Sequence, residues 1–330
     1  MEIASSKPIK RKSGFISKPL FIQTLKASWI LWLVMTLGSA AIFFVVNIAI
    51  GSKNIFSNID MDNVTTYVRD EQLSWLQILG LLTKMGFSLN KIQVMSQIDL
   101  NSVLNDLVYK IAGVLLPMVF VMITSNNLIA AQVNSGSMAY ILSTPTSRKT
   151  VVRTQYIFMV IALLAMYIII TSSALASEGI AEAIRLHNKP EAARNVPLRT
   201  VMYCSASFLA MFALMGICFG ASAFFNKAKY SVAVGGGASI VCFLFCVLGL
   251  FGNKVFVSLG LGVQAMNTFN YMTLFTLIDT DSMGSFAKAV SGYDVDISFN
   301  WIWQWSILVV VGIVFAYIGS RVFVKKDLPL

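Results

Sequence analysis

His187, Cys204, Cys218, Cys242 and Cys246 are the residues of this chain best suited to metal or redox chemistry, and their placement suits neither. The four cysteines all fall inside long apolar runs, where a thiol acts as a small packing group. Cys242 and Cys246 share one helix face, and His187 stands alone in a polar stretch of mixed charge. There is no H-E-x-x-H motif and no G-x-x-x-x-G-K-[ST] phosphate loop, so the chain has neither device for zinc hydrolysis or ATP binding. No Asp, Glu, Lys, Arg or His stands mid-run in any long apolar run. Proton-coupled carriers depend on such groups, as does acid–base hydrolysis at depth. No residue reads as catalytic, and no metal or cofactor is expected.

One polar stretch does carry a pattern. It runs Asn127-Leu-Ile-Ala-Ala-Gln-Val-Asn-Ser-Gly-Ser-Met-Ala-Tyr-Ile-Leu-Ser-Thr-Pro-Thr-Ser-Arg-Lys-Thr150 and sits between two apolar runs. Gly136 permits close backbone approach or a tight turn. Pro145 predicts a helix stop near Ser143. Arg148 and Lys149 suit anchoring at lipid headgroups.

The elements that hold this stretch follow from composition. Of 330 residues, 57% are hydrophobic and 12% charged, with a mean hydropathy of +0.74. A soluble domain carries about 25% charged residues. Six uncharged runs, Ala27–Ile50, Ile111–Ala131, Thr154–Ser177, Thr200–Phe225, Tyr230–Asn253 and Ile297–Ser320, reach the roughly 20 residues that a helix needs to cross a bilayer. The expectation is an all-α polytopic membrane protein with six transmembrane helices. A seventh run, Val255–Ile278, is broken by Gly260, Gly262, Gln264, Asn267 and Asn270.

Charge sets the expected orientation. Lys7, Lys10, Arg11, Lys12, Lys18 and Lys26 precede run one. Arg148, Lys149 and Arg153 follow run two, Lys227 and Lys229 follow run four, and Arg321, Lys325 and Lys326 close the chain. The alternate links carry the acids, so both termini are expected in the cytoplasm of a multi-pass cell-membrane protein. Had Val255–Ile278 spanned, the polarity would reverse at both of its ends, so residues 254–296 are expected to hold an extracytoplasmic re-entrant segment. Residues 1–26 read as a basic tail and an amphipathic interfacial helix. The outer loop region 51–110 and the polar stretch Ser177–Arg199 read as extracytoplasmic. The net charge of +10 is scattered over short links, which fits topology and not nucleic-acid binding.

The stretch 130–152, with Gly136-Ser137, then Ile141-Leu142, then Pro145-Thr-Ser-Arg148 directly before a span, resembles the cytoplasmic segment of ABC-2 type permeases, the membrane subunits of ABC exporters. The six-run layout and the closing Lys325-Lys-Asp-Leu-Pro329 are similar as well. An acidic position of that family falls here on Gln132 or Asn134. The resemblance implies a coupling helix in which Gln132, Asn134, Ser135, Gly136, Ser137, Tyr140, Pro145 and Arg148 meet a separate ATPase subunit. It implies two such ATPase subunits and a second permease copy, identical or paralogous, with the chain itself non-catalytic and held in membrane lipid.

A translocation path in that family would pass between such copies. Candidates for it are Asn126 and Asn127, or else these serve helix capping and interhelical hydrogen bonding. Gly235, Gly236 and Gly237 suit tight packing or a hinge. Trp301, Trp303 and Trp305 read as an interfacial belt. A reading from another class is a membrane sensor or immunity component that binds an extracellular peptide through Gly51–Lys110 without transport; stimulation of an ATPase would separate the two.

Overall fold

The computed structural model describes residues 16–51, 100–143, 146–188, 196–252, 263–293 and 296–326. The basic tail before residue 16, most of the outer loop region 51–110, Pro145 and part of the segment 254–296 lie outside the described residues. Within them the chain is helical, with no strand. In order, α1 is Lys18–Gly51, α2 Leu100–Leu128, α3 Ala130–Asn134, α4 Ser137–Ser143 and α5 Arg148–Asn188. Next come α6 Pro197–Phe224, α7 Ala228–Ser231, a π-helical turn Val232–Gly236 and α8 Gly237–Leu250. Two 3₁₀ stretches, Gln264–Met272 and Leu274–Leu277, lead to α9 Thr280–Val290 and α10 Asn300–Lys325. Six stretches are long and apolar enough to cross a membrane: Lys18–Ile48, Gly113–Asn134, Arg148–Ile184, Pro197–Phe224, Ala228–Gly249 and Asn300–Lys325.

Helix α6 is the centre of the bundle. Its apolar stretch is 67% buried, against 22% for α1 and 28% for α10. Burial on this scale at a helix with so many small residues follows from close approach. Gly216-Ile-Cys-Phe-Gly220 puts two glycines on one face, and Gly312, Ala316 and Gly319 of α10 do the same opposite. A Cβ on Gly216 would come within 2.7 Å of the Gly312 Cα, and one on Gly319 within 2.5 Å of the Gly220 Cα. Small residues at such spacing let backbones touch where lipid supplies no hydrophobic drive between helices.

The α1–α5 seam is held differently, by polar groups spaced along its length. Ser17 N–H donates to Thr154 Oγ1 at 3.0 Å, Trp32 Nε1 to Ala162 O at 2.8 Å, Ser173 Oγ to Ala40 O at 2.9 Å and Asn47 Nδ2 to Ser177 Oγ at 3.1 Å. The partners rise together in both helices, so α1 and α5 are parallel. Phe21 also meets Phe158 edge-on, with centroids 5.6 Å apart. Residues 18–26, read from sequence as a separate interfacial helix, are continuous with α1 and bury Leu20 and Thr24. No glycine or interior proline breaks the helix there.

Two further readings change. Residues Ser177–Arg199 are not all loop: α5 continues to Asn188. At 41 residues it is roughly 62 Å long by its rise of 1.5 Å per residue, about twice a bilayer's hydrocarbon core of roughly 30 Å. The extension Ala-Ser-Glu-Gly-Ile-Ala-Glu-Ala-Ile is rich in helix formers, and Thr200 at the start of α6 donates to the Glu178 carboxylate. Of the three tryptophans, only Trp303 is well exposed. Trp301 and Trp305, four residues apart, turn inward together with centroids 4.9 Å apart, and Trp301 stacks on Phe286 of α9.

Helix α2 carries Pro117 in its interior. Proline has no N–H, so the carbonyl four residues earlier, that of Gly113, loses its helical partner. Tyr167 of α5 supplies the replacement, donating its hydroxyl to Gly113 O at 2.6 Å. Neighbouring helices relieve prolines in this way where no water is at hand.

Two stability tests follow from these contacts. Gly216→Ala is expected to lower the detergent melting temperature sharply, since overpacking typically costs about 1–3 kcal/mol and here the clash is with backbone; Gly237→Ala, which meets nothing within 4 Å, is expected to leave it unchanged or raise it. Tyr167→Phe is expected to cost about 1 kcal/mol in the native background and less in Pro117→Ala, where Gly113 O regains an N–H. Equal costs in the two backgrounds would contradict the pairing.

Candidate functional site

Both ends of the described chain meet at one end of the bundle, which also holds the α2–α5 connection and the α6–α7 link. This is the cationic end, with Lys18, Arg148, Lys149, Arg153, Lys227, Lys229, Arg321, Lys325 and Lys326. The described acids Asp106, Glu178, Glu182, Asp279, Asp281 and Asp296 belong to the opposite end.

The α2–α5 connection folds into a helical hairpin. Ile129, at φ −122° and ψ −66°, breaks the helix for one residue before α3 resumes. The groups freed by that break are paired by neighbouring helices. Gln155 Nε2 of α5 donates to Leu128 O at 2.6 Å, and Ala130 N–H donates to Ser222 Oγ of α6 at 3.0 Å. Gln155 Nε2 also lies 3.2 Å from Gln132 Oε1. Gln132 therefore faces the bundle.

The turn between α3 and α4 is made by Ser135 and Gly136. Gly136 has φ +74° and empty space where a Cβ would be, so its conformation and not crowding selects glycine. The Ser135 and Ser137 hydroxyls are 2.9 Å apart, and Ser137 Oγ donates to Gln132 O at 3.2 Å. Helix α4 then buries Met138, half-buries Ile141 and Leu142, and leaves Tyr140 81% exposed. It stops at Ser143, whose hydroxyl donates to Tyr140 O at 2.8 Å, the position that the Pro145 rule anticipates. Ser147 caps α5, accepting from Thr150 N–H at 3.2 Å.

The hairpin thus has two faces. Ala130 and Gln132 bond to α6 and α5 and Val133 and Met138 are buried, while Asn134, Ser135, Gly136 and Tyr140 form an exposed polar tip. Arg148, expected at the tip, is turned to the bundle: its Nη1 donates to Lys326 O at 2.7 Å, just past the end of α10. The Lys326 ammonium in turn donates to Phe224 O at the end of α6. Partial burial holds the Lys326 pKa below the usual lysine value. One arginine and one lysine so join the ends of α5, α6 and α10 through carbonyl oxygens, the side of a helix C-terminus that favours cations.

Asn127 is exposed and Asn126 half-buried at the end of α2. The Asn126 Oδ1 has no hydrogen-bond partner, nor do the buried hydroxyls of Thr124, Ser125 and Tyr156 or the Oδ1 of Asn226. Gly235 and Gly236 are buried in the π turn. Gly235 faces Cys218 and Ala221 of α6, and its carbonyl accepts from Ser239 Oγ at 2.9 Å. Gly236 faces Met122 of α2, one turn before Asn126, whereas Gly237 has open space. The π turn and the asparagines are therefore neighbours.

Sequence does not mark Gln155, Ser222 or Tyr167, and marks Lys326 only as a terminal charge. An amide or phenol within an apolar run is a visible signal, but its partner lies 27 residues away for Gln155 and 54 for Tyr167. Gln155→Leu is expected to release the hairpin, raising amide exchange across 130–143 and lowering stability by about 1–3 kcal/mol. Unchanged exchange there would show that the apolar contacts of Met138 and Val133 alone hold it.

No family model, curated protein or solved structure matches this chain.

Proposed function

We propose that this chain is the permease subunit of an ATP-driven exporter of the ABC-2 type, forming half of a translocation pathway and driven by a separate ATP-binding subunit. The observation that carries the reading is the two-faced hairpin 130–143. One face is bonded into α5 and α6 through Gln155 and Ser222, and the other presents Asn134, Ser135, Gly136 and Tyr140 away from the bundle. An element of that form can receive a push from a soluble partner and deliver it to the helices. The sequence pattern Gly136-Ser137 to Pro145-Thr-Ser-Arg148 supports it, as does the lack of any phosphate loop of the chain's own.

On this reading the cationic end faces the cytoplasm with both termini, as the positive-inside rule requires. Two ATPase subunits and a second permease copy complete the assembly. Asn126, Asn127 and the glycine turn 235–237 border the path. On the same reading residues 254–296 hold a re-entrant segment, which is supported by two bonds along α8: Thr273 Oγ1 donates to Cys242 O at 2.8 Å and Asn270 Nδ2 to Gly249 O at 3.1 Å. Thr273 so lies roughly 12 Å back along α8 from its end at Leu250, counting 1.5 Å per residue.

The test is co-purification from the native membrane in mild detergent. Wild type is expected to bring down an ATP-binding subunit, with Tyr140→Ala reducing and Gly136→Arg reducing at least tenfold the amount recovered. The recovered complex is expected to hydrolyse ATP. Absence of an ATP-binding subunit, or equal recovery with both variants, would refute the coupling role.

A further inference from the structure

The cationic end carries a second feature that the hairpin does not use. At the corner where α5 begins and α6 and α10 end, Arg148 donates to Lys326 O and the Lys326 ammonium to Phe224 O. Lys149 and Lys325 adjoin these two residues in sequence and are exposed, and Lys227 stands three residues beyond Phe224. Five cations therefore gather at one corner, with no carboxylate among the described residues of that end. Asp327, outside the described residues, would offset one of them. Their bonds go to carbonyl oxygens, which leave the positive charge uncompensated. Lys326 is in addition partly desolvated, and that favours a bound anion.

The corner is continuous with an apolar strip. Along α10, Val310, Val314, Tyr317, Arg321 and Lys325 follow at helical spacing, and all are exposed. The Arg321 side chain lies over the Tyr317 ring, 5.0 Å from its centroid, with Nε donating to the Tyr317 hydroxyl at 2.8 Å. The Arg321 stem and head so cover the apolar strip one turn before the cationic end. An apolar strip capped by clustered cations matches a molecule with a hydrocarbon tail and an anionic head, since basic sites at helix ends on one side of a membrane recognise acidic headgroups.

We propose that this corner binds the phosphate headgroup of an anionic phospholipid, with an acyl chain lying along Val310, Val314 and Tyr317 of α10. The bound headgroup neutralises the corner and ties α10 to α5 and α6. The site stands whether or not the chain is a transporter, because it uses only charge, exposure and helix ends.

The experiment is a thermal melt of the delipidated, detergent-solubilised full chain, titrated with dioleoylphosphatidylglycerol, dioleoylphosphatidylcholine or inorganic phosphate. Phosphatidylglycerol is expected to raise Tm by several degrees in a saturable manner, with the other two having little effect. Lys149→Gln/Lys325→Gln, both exposed side chains, is expected to remove most of that rise. Lys18→Gln/Lys26→Gln removes the same charge from α1, which packs chiefly on α2 and α5, and is expected to keep it. An equal loss in both double variants would show diffuse surface charge and overturn the site. An equal rise with phosphatidylcholine or with free phosphate would overturn the anionic-lipid assignment. Loss of a co-purifying protein from the Lys149/Lys325 variant with an unaltered lipid response would assign the corner to a protein partner instead.

Discussion

Gly216 and Gly312 meet backbone to backbone, and the arrangement of the bundle depends on that approach. With α10 pressed against α6 through Gly216, Gly220, Gly312 and Gly319, α6 is enclosed between α10 on one side and α2 and α5 on the other. In lipid the gain from such packing is dispersion and the loss of exposed polar backbone, not hydrophobic drive. A single Cβ at Gly216 would have to displace the α10 backbone itself. The end of α10 would move with it, and so would the Lys326 carbonyl and ammonium that join α5 and α6.

Around that contact, the fold is a record of how polar groups are paired away from water. Pro117 removes a backbone donor and Tyr167 replaces it. Ile129 interrupts a helix, and Gln155 and Ser222 take up the groups it frees. An unpaired amide or carbonyl in hydrocarbon costs several kcal/mol, so these bonds are conditions for the breaks to exist. Against this background the unpartnered Thr124, Ser125, Asn126 and Tyr156 near the end of α2 and the start of α5 stand out. With the Oε1 of Gln155 they are buried polar atoms left unpaired near the hairpin, and Asn126 lies one turn from Met122, which faces Gly236 of the π turn. A π turn itself leaves one irregular step in a helix and recurs at functional positions.

How much of this was legible follows from the range of each interaction. The six long helices are read from run length alone, because bilayer thickness fixes it. The hairpin's turn and its stop were legible in Gly136 and the Pro145 rule, which act on their own neighbours. From sequence Gln132 reads as a partner-facing position, because its own partner, Gln155, lies beyond an intervening turn and helix. Arg148 reads as a coupling or headgroup residue for the same reason, Lys326 being 178 residues away. The Gly216–Gly220 spacing was present as a motif, but it is informative only when the facing helix also carries small residues. Polar sequence after Ser177 was read as loop, whereas Ala and Glu propensity and the Thr200–Glu178 bond carry the helix on to Asn188. The alternating Trp301, Trp303 and Trp305 suggest a belt, although positions four apart on a helix share a face: Trp305 packs on Trp301, and Trp301 meets Phe286.

The same distances bear on how a force at the hairpin would spread. Leu128, Ala130 and Gln132 are bonded to α5 and α6 within about one helical turn of the tip's base, so the hairpin is not a flexible strap. Its displacement acts first on Gln155 and Ser222. Seven residues before Gln155, the same helix begins at Arg148, which holds the end of α10, and three residues after Ser222 α6 has ended beside Lys326. A push at Tyr140 is therefore shared at once among α5, α6 and α10, while α1 follows α5 through its four polar bonds. Helix α8 is the exception. It is joined to α6 through the short α7 and the π turn, and its main further contact is the 3₁₀ stretch 264–272. If the hairpin is driven, α8 and the segment folded along it form the part best able to lag behind the rest, and the π turn Val232–Gly236 is the irregular step that links them to α6.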